Sequence, residues 1–228
     1  MDNTVRIYCE NDGTYHSVPK GSDLKSLSEK ICKTIQDKKS GTELQVLAAL
    51  VDNMLKELEF KIDMPHTIRF IGYNHPDGRR SYVRSLCFVL RNAVKELYPD
   101  KILAIEYSLP SGLYCEIHEK EDKEDGRPMT YFITDAEIER LKAKMQEIID
   151  RDLPFHKTKM TFEDAEKLFL ANSQKDKARL LRSLGQYTYS VYFLNGEADT
   201  FYGPLVDSTG CLKVFDVMGF NNGFCLQY

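Results

Sequence analysis

What most constrains this chain is the order in which its hydrophobic periods change. Two-residue alternation opens it, helical spacing fills its middle, and alternation returns near the end, with no sustained β-α-β run. A parallel α/β sheet requires that run, so the pattern predicts an α+β fold. Residues 1–10 read as a strand, with Val5, Ile7 and Cys9 alternating against Arg6 and Tyr8. Asn11-Asp12-Gly13 supplies the positive-φ positions of a tight hairpin, and Thr14–Val18 returns as its partner. Ser22 and Asp23 then read as a helix start, followed by Leu24, Leu27, Ile31 and Ile35 at helical spacing. Strand-like pieces follow at Leu44–Val51, Glu59–Ile62 and Thr67–Ile71, and this ββαβ…β order suggests a small β-grasp unit.

The stretch Gly72–Arg80 (GYNHPDGRR) is rich in turn residues and reads as a boundary. Ser81 is then the expected cap of a helix whose seam is Leu86, Val89, Leu90, Ala93, Val94 and Leu97, stopped by Pro99. Strands are expected at Ile102–Leu109 and Leu113–Ile117, with EKEDKEDGR after them as a solvated connection. Thr134 and Glu137 form a capping box before a helix with Ile138, Leu141, Met145, Ile148 and Ile149 inward. Thr161 starts another helix, Lys175–Leu184 forms a third ending at Gly185, and strands are expected at Tyr187–Leu194, Ala198–Tyr202 and Leu212–Met218.

Charge and motif content exclude several functions. Lys plus Arg is 31 against 35 for Asp plus Glu, a net charge of -4. A sequence-blind nucleic-acid binder needs excess cations to displace counterions, so that class is excluded for the chain as a whole, though a local basic patch is not. At 228 residues and 42% hydrophobic composition, the chain can bury about 70% of its unfolded surface without staples. Its cysteines (Cys9, Cys32, Cys87, Cys115, Cys211 and Cys225) form no C-x-x-C pair and read as ordinary thiols of a reducing compartment. The start MDNTVRIYCEN has neither the basic nor the apolar region of a signal peptide. No apolar run approaches the ~20 residues of a membrane span. The expectation is a soluble cytoplasmic protein with no membrane partner. G-x-x-x-x-G-K-[ST], G-x-G-x-x-G and G-x-S-x-G are all absent, and His16, His66, His75, His118 and His156 are scattered as surface or turn residues.

The run RSLCFVLRNAVKELYPDKILAIEYSLPSGLYCEI and the later ADTFYGPLVDSTGCLKVFDVMGF resemble the second additional (editing) domain of threonyl- and alanyl-tRNA synthetases, with Gly203-Pro204 where that family has its Gly-Pro step. The front of the chain resembles the TGS domain that precedes it. The resemblance implies a TGS-like β-grasp domain at 1–72 and an editing-domain-like body at 73–228. The family's site is an H-x-x-x-H pair on the first helix with a C-x-x-x-H pair near the Gly-Pro step. Here the corresponding positions are Arg84 and Phe88, then Phe201 and Leu205. A guanidinium is permanently cationic, and phenyl and isobutyl groups carry no lone pair, so no catalytic residue and no metal is expected there.

What remains is a cleft with an altered lining. Arg79, Arg80 and Arg84 near a helix start could grip a phosphate or carboxylate, while Tyr82, Phe88, Phe201 and Tyr202 offer faces for a base. The plainer reading, which the sequence favours, is that Arg79 and Arg80 are solvated turn residues, Arg84 pairs with a surface carboxylate, and the aromatics are ordinary core. GRRSYVRSLCFVL and GPLVDSTGCLKVFDVMGF are also similar to the front of a bacterial uridine kinase-like, or nucleoside kinase, family. That resemblance implies a non-catalytic region that recognises RNA or a nucleotide or regulates a P-loop kinase domain. That domain, and the ATP and magnesium it uses, lie outside this chain. The alternatives are an aminoacyl-tRNA deacylase with a rewired site and a protein-interaction module.

Overall fold

The computed structural model describes residues 3–36, 43–122, 128–172 and 174–228, and its fold mixes helices with several sheets. β1 (Thr4–Cys9) turns Val5, Ile7 and Cys9 inward, as its alternation dictates, and pairs antiparallel with β2 (Thr14–Pro19). β3 (Ser22–Asp23) leads into α1 (Leu24–Ile31), where the Asp23 carboxylate accepts from the Ser26 amide at 2.7 Å. The helix stops at Cys32, whose φ of -149° leaves helical space. Ile35 therefore lies in β4 (Thr34–Gln36) rather than on the helix face, and β4 pairs with β5 (Glu43–Gln45).

The expected strand Leu44–Val51 is two elements, β5 and β6 (Ala48–Val51). Asp52 and Asn53, both at positive φ, turn β6 back into β7 (Met54–Lys56), a strand that periodicity did not reveal. β8 (Lys61–Ile62) pairs with β3, and β9 (Thr67–Ile71) runs parallel to β1 and antiparallel to β6. The sheet order is β2-β1-β9-β6-β7, and Ile7, Leu24, Leu27, Ile62, Ile68 and Phe70 form the core between it and α1.

α2 (Pro76–Leu97) begins earlier than expected. Asn74 and His75 are turn residues, but Pro76 takes the first helical position and the His75 imidazole accepts from the Asp77 amide. Gly78, Arg79 and Arg80 are thus helical, and Ser81 is a fully buried residue inside the helix rather than its cap. Gly78 has a packing reason: a Cβ there would lie 2.0 Å from the Gly72 carbonyl oxygen.

β10 (Lys101–Leu109), β11 (Gly112–Asp122) and β12 (Pro128–Tyr131) follow. The first part of the expected charged connection belongs to β11, where Glu119 pairs with Lys101; residues 123–127 of that connection lie outside the described residues. α3 (Asp135–Asp150) carries the predicted capping box. β13 (His156–Thr161) was not anticipated, since Lys157 and Lys159 interrupt any apolar signal. α4 (Phe162–Ala171) is capped by Thr161, and α5 (Lys175–Leu184) ends at Gly185 with φ +60°.

β14 (Thr188–Leu194) and β15 (Glu197–Thr200) pair after β13, giving the order β13-β14-β15. The expected strand at 212–218 is displaced to β16 (Asp216–Phe220), because a 3-10 turn at Thr209–Cys211 precedes it. The final residues are no tail: β17 (Gly223–Gln227) is inserted between β11 and β16 in the order β10-β11-β17-β16. Leu86, Val89 and Leu90 of α2, with Leu141 and Met145 of α3, bury themselves against Cys115, Ile117, Phe224 and Leu226. Among the described residues no helix is long and apolar enough to cross a membrane.

Candidate functional site

Arg84 and Phe88 stand one helical turn apart on α2, so both face the segment after β15. Arg84 Nε and Nη2 donate to the Pro204 carbonyl oxygen at 3.1 and 2.9 Å, and Nη2 also donates to Ser81 Oγ at 3.0 Å. Every one of these partners is neutral. Burial pushes the guanidinium pKa below its ordinary value, yet arginine remains cationic across the working range. Gly203 follows φ +124°, and a Cβ there would sit 3.0 Å from Arg84 Cζ, so the backbone lies directly against the guanidinium.

Phe88 is fully buried. It stacks on Phe155 at 6.0 Å and tilts against Phe201 at 5.3 Å, while Phe201 meets Tyr192 edge-on at 6.0 Å. Leu205 is buried in the same cluster. The four positions Arg84, Phe88, Phe201 and Leu205 are therefore brought together, as packed hydrocarbon beside one cation, with Phe201 half-buried. Beside them, Phe155, Tyr192 and Leu205 border a void of about 10 Å³, roughly the space of one water.

The other sequence-selected residues lie differently. Arg79 is exposed, with its guanidinium 5.3 Å from the Tyr73 ring centre. Arg80 is exposed and pairs with Asp77 at 2.7 Å. Tyr82 is buried; its hydroxyl donates to the Val214 carbonyl at 2.7 Å and accepts from the Val214 amide at 2.9 Å, and burial raises its pKa to about 12. With Tyr82 and Phe88 closed to solvent and Phe201 half-buried, the most open of these rings is Tyr202, 92% exposed beside the Gly-Pro step.

Several neighbours escaped the sequence reading. Arg91, two turns beyond Arg84, binds the buried Asp199 at 2.7 Å, and Lys177 binds its other oxygen at 2.5 Å. Lys177 also lies 5.9 Å from the Phe201 ring centre. The Tyr192 hydroxyl donates to Glu57, which Lys157 also holds at 2.6 Å. Burial, then the Glu57 hydrogen bond, pushes the Tyr192 phenol up. The spacing of Arg84, Phe88 and Arg91 on one helix face was the available signal; Asp199 and Glu57 arrive from distant segments and gave none. Cys87 sits near Asp199, and burial raises its thiol to about 12, which leaves it protonated and unreactive.

Among protein families, no family model matches the chain. Among curated proteins it is similar to the threonine--tRNA ligase of Acetivibrio thermocellus, 27% identical over 208 residues that cover 91% of this chain and 30% of that protein. The threonine--tRNA ligase of Desulforamulus reducens is 28% identical over 179 residues, 78% of this chain and 27% of the relative. Threonine--tRNA ligase 2 of Bacillus subtilis is 24% identical over 205 residues, 90% of this chain and 30% of the relative. The chain spans about three tenths of the length of the curated relatives it matches. These relatives support the synthetase-like part of the resemblance; none of them bears a kinase name, so the uridine kinase-like part stands without support from them.

Proposed function

We propose that this chain is a threonyl-tRNA synthetase-like editing module, a β-grasp unit at 1–72 joined to a body at 73–228, that binds the acceptor end of a tRNA without hydrolysing an ester there. One observation carries the reading: the face where such a module would do its chemistry holds Arg84, a cation with only neutral oxygen partners, above packed Phe88, Phe201 and Leu205. No group in that cluster has a lone pair suited to activate water, whereas an uncompensated guanidinium beside exposed Tyr202 suits a phosphate next to a stacked base. Similarity to threonine--tRNA ligases over nine tenths of the chain supports tRNA as the nucleic acid. Arg79, exposed on the first turn of α2, extends the cationic rim, whereas Arg80 there is paired with Asp77.

The test is binding of uncharged and mischarged tRNA, followed by fluorescence anisotropy, alongside release of the amino acid. Binding weakened several-fold by Arg84→Ala, with no release above the protein-free rate, is the expected result. Absence of binding to either tRNA ends the recognition reading.

The same relatives favour a second reading, a deacylase with a rewired site. Release of the amino acid that disappears in Arg84→Ala would establish it in place of the first. The phosphotransferase context implied by the kinase resemblance is tested by the reading frame beyond Tyr228.

A further inference from the structure

A concave site lined by none of the residues around the Gly-Pro step lies on one face of the sheet β10-β11-β17-β16. Tyr114, Glu116 and His118 alternate along β11, so all three project from that face, while Leu113, Cys115 and Ile117 point into the core. Glu106 reaches the same face through a bulge. Pairing shifts between Ile105↔Cys115 and Tyr107↔Tyr114, which leaves Glu106 as the extra residue of β10. The result is an open depression of about 700 Å³, with Asn221 and Asn222 of the β16–β17 turn on its border.

The carboxylates of Glu106 and Glu116 and the imidazole of His118 place their donor atoms within 4.8 Å of one another. His118 is no surface or turn residue. It is 9% exposed, on an inner strand of the sheet, and its Nε2 lies 2.9 Å from Glu116 Oε2. Glu116 is further fixed by the Tyr114 hydroxyl, which donates to its other oxygen at 2.6 Å. Among the described residues no lysine or arginine forms an ion pair with Glu106 or Glu116. Two carboxylates thus converge beside an imidazole, which is the only side chain among the described residues within ion-pair reach of Glu116.

We propose that Glu106, Glu116 and His118 form a binding site for a divalent transition-metal ion of the zinc class. Nitrogen beside carboxylate oxygen is the donor set of zinc, manganese or iron, whereas calcium and magnesium select oxygen alone. Tetrahedral donors at ~2.1 Å from an ion stand ~3.4 Å apart, so closure requires the exposed Glu106 side chain to move in by roughly an ångström and the Glu116–His118 hydrogen bond to open by about half an ångström. Tyr114, bonded to Glu116, is the outer group that orients a ligand. The open depression leaves the remaining coordination positions to water or to a bound molecule. This site is independent of the tRNA reading, and either stands without the other.

The test is calorimetric titration of the whole chain with Zn²⁺, and visible spectroscopy with Co²⁺ in its place. One equivalent is expected to bind, about tenfold or more weaker in both Glu116→Gln and His118→Ala. Co²⁺ is expected to show d–d bands without thiolate charge-transfer absorption. Glu106→Gln, at an exposed position, supplies a variant with little risk to folding, and circular dichroism checks all of them. No saturable binding, equal affinity in all variants, or a thiolate band from one of the cysteines would overturn the proposal.

Discussion

Arg84 and Gly203 depend on each other. The guanidinium holds the Pro204 carbonyl, and the absent side chain at Gly203 lets the backbone approach it. Two costs attach to Gly203→Ala: a strained φ of +124° and a clash with Arg84 Cζ. Together they are expected to destabilise the protein by about 1–3 kcal/mol in urea unfolding. In an Arg84→Ala background only the first cost persists, so the same substitution should cost less there; strict additivity of the two changes would refute the contact. Phe88 is a simpler case. Truncating this fully buried ring to alanine should cost about 3–5 kcal/mol, an amount that separates a packing role from a ligand-facing one.

At the scale of elements, α3 owes its start to Thr134 and Glu137, each satisfying the other's backbone amide. Thr134→Ala should lower stability by about 0.5–2 kcal/mol. The Tyr131 hydroxyl, and then the Thr134 amide, hold the Glu137 carboxyl below its ordinary 4.5. Its folded-state pKa is therefore lower than in the unfolded chain, and the unfolded chain binds more protons between the two values. This contribution is complete above about 4.5 and disappears as pH falls through the lower folded value. Glu137→Gln should accordingly flatten the loss of melting temperature between neutral pH and pH 3; an unchanged slope would exclude the capping carboxylate as its source. The capping box was legible in the sequence because both partners lie within one turn. β13 was not legible, because its inner face is specified by β14 rather than by its own lysine-rich residues.

At the scale of the molecule, the N-terminal part and the larger core are joined by Leu47, buried in the larger core, and by a few polar contacts. Glu57 accepts from Tyr192 and Lys157, and Lys25 pairs with Asp207 at 2.7 Å. The Lys25 pair is exposed enough to contribute little. Glu57 matters more, because Tyr192 is buried and its hydroxyl donates to Glu57. Glu57→Ala should therefore destabilise by about 1–3 kcal/mol, whereas Tyr192→Phe, which removes the donor itself, should cost less. Chemical denaturation checks the order, and the reverse order would place the cost elsewhere.

The sequence by itself determined the α+β class, the first hairpin, the starts of α3 and α4 and the end of α5. Each of these rests on residues within a few positions of one another, where spacing and capping act locally. The resemblance to the synthetase editing domain, rather than spacing alone, aligned Arg84, Phe88, Phe201 and Leu205. Only the tertiary structure decided that β17 enters the middle of a sheet, that Tyr82 and Phe88 face the core, and that Glu106 joins Glu116 and His118. Those outcomes depend on which strand pairs with which, and on a bulge visible only against a partner. Local patterning carries no information about partners drawn from a hundred residues away.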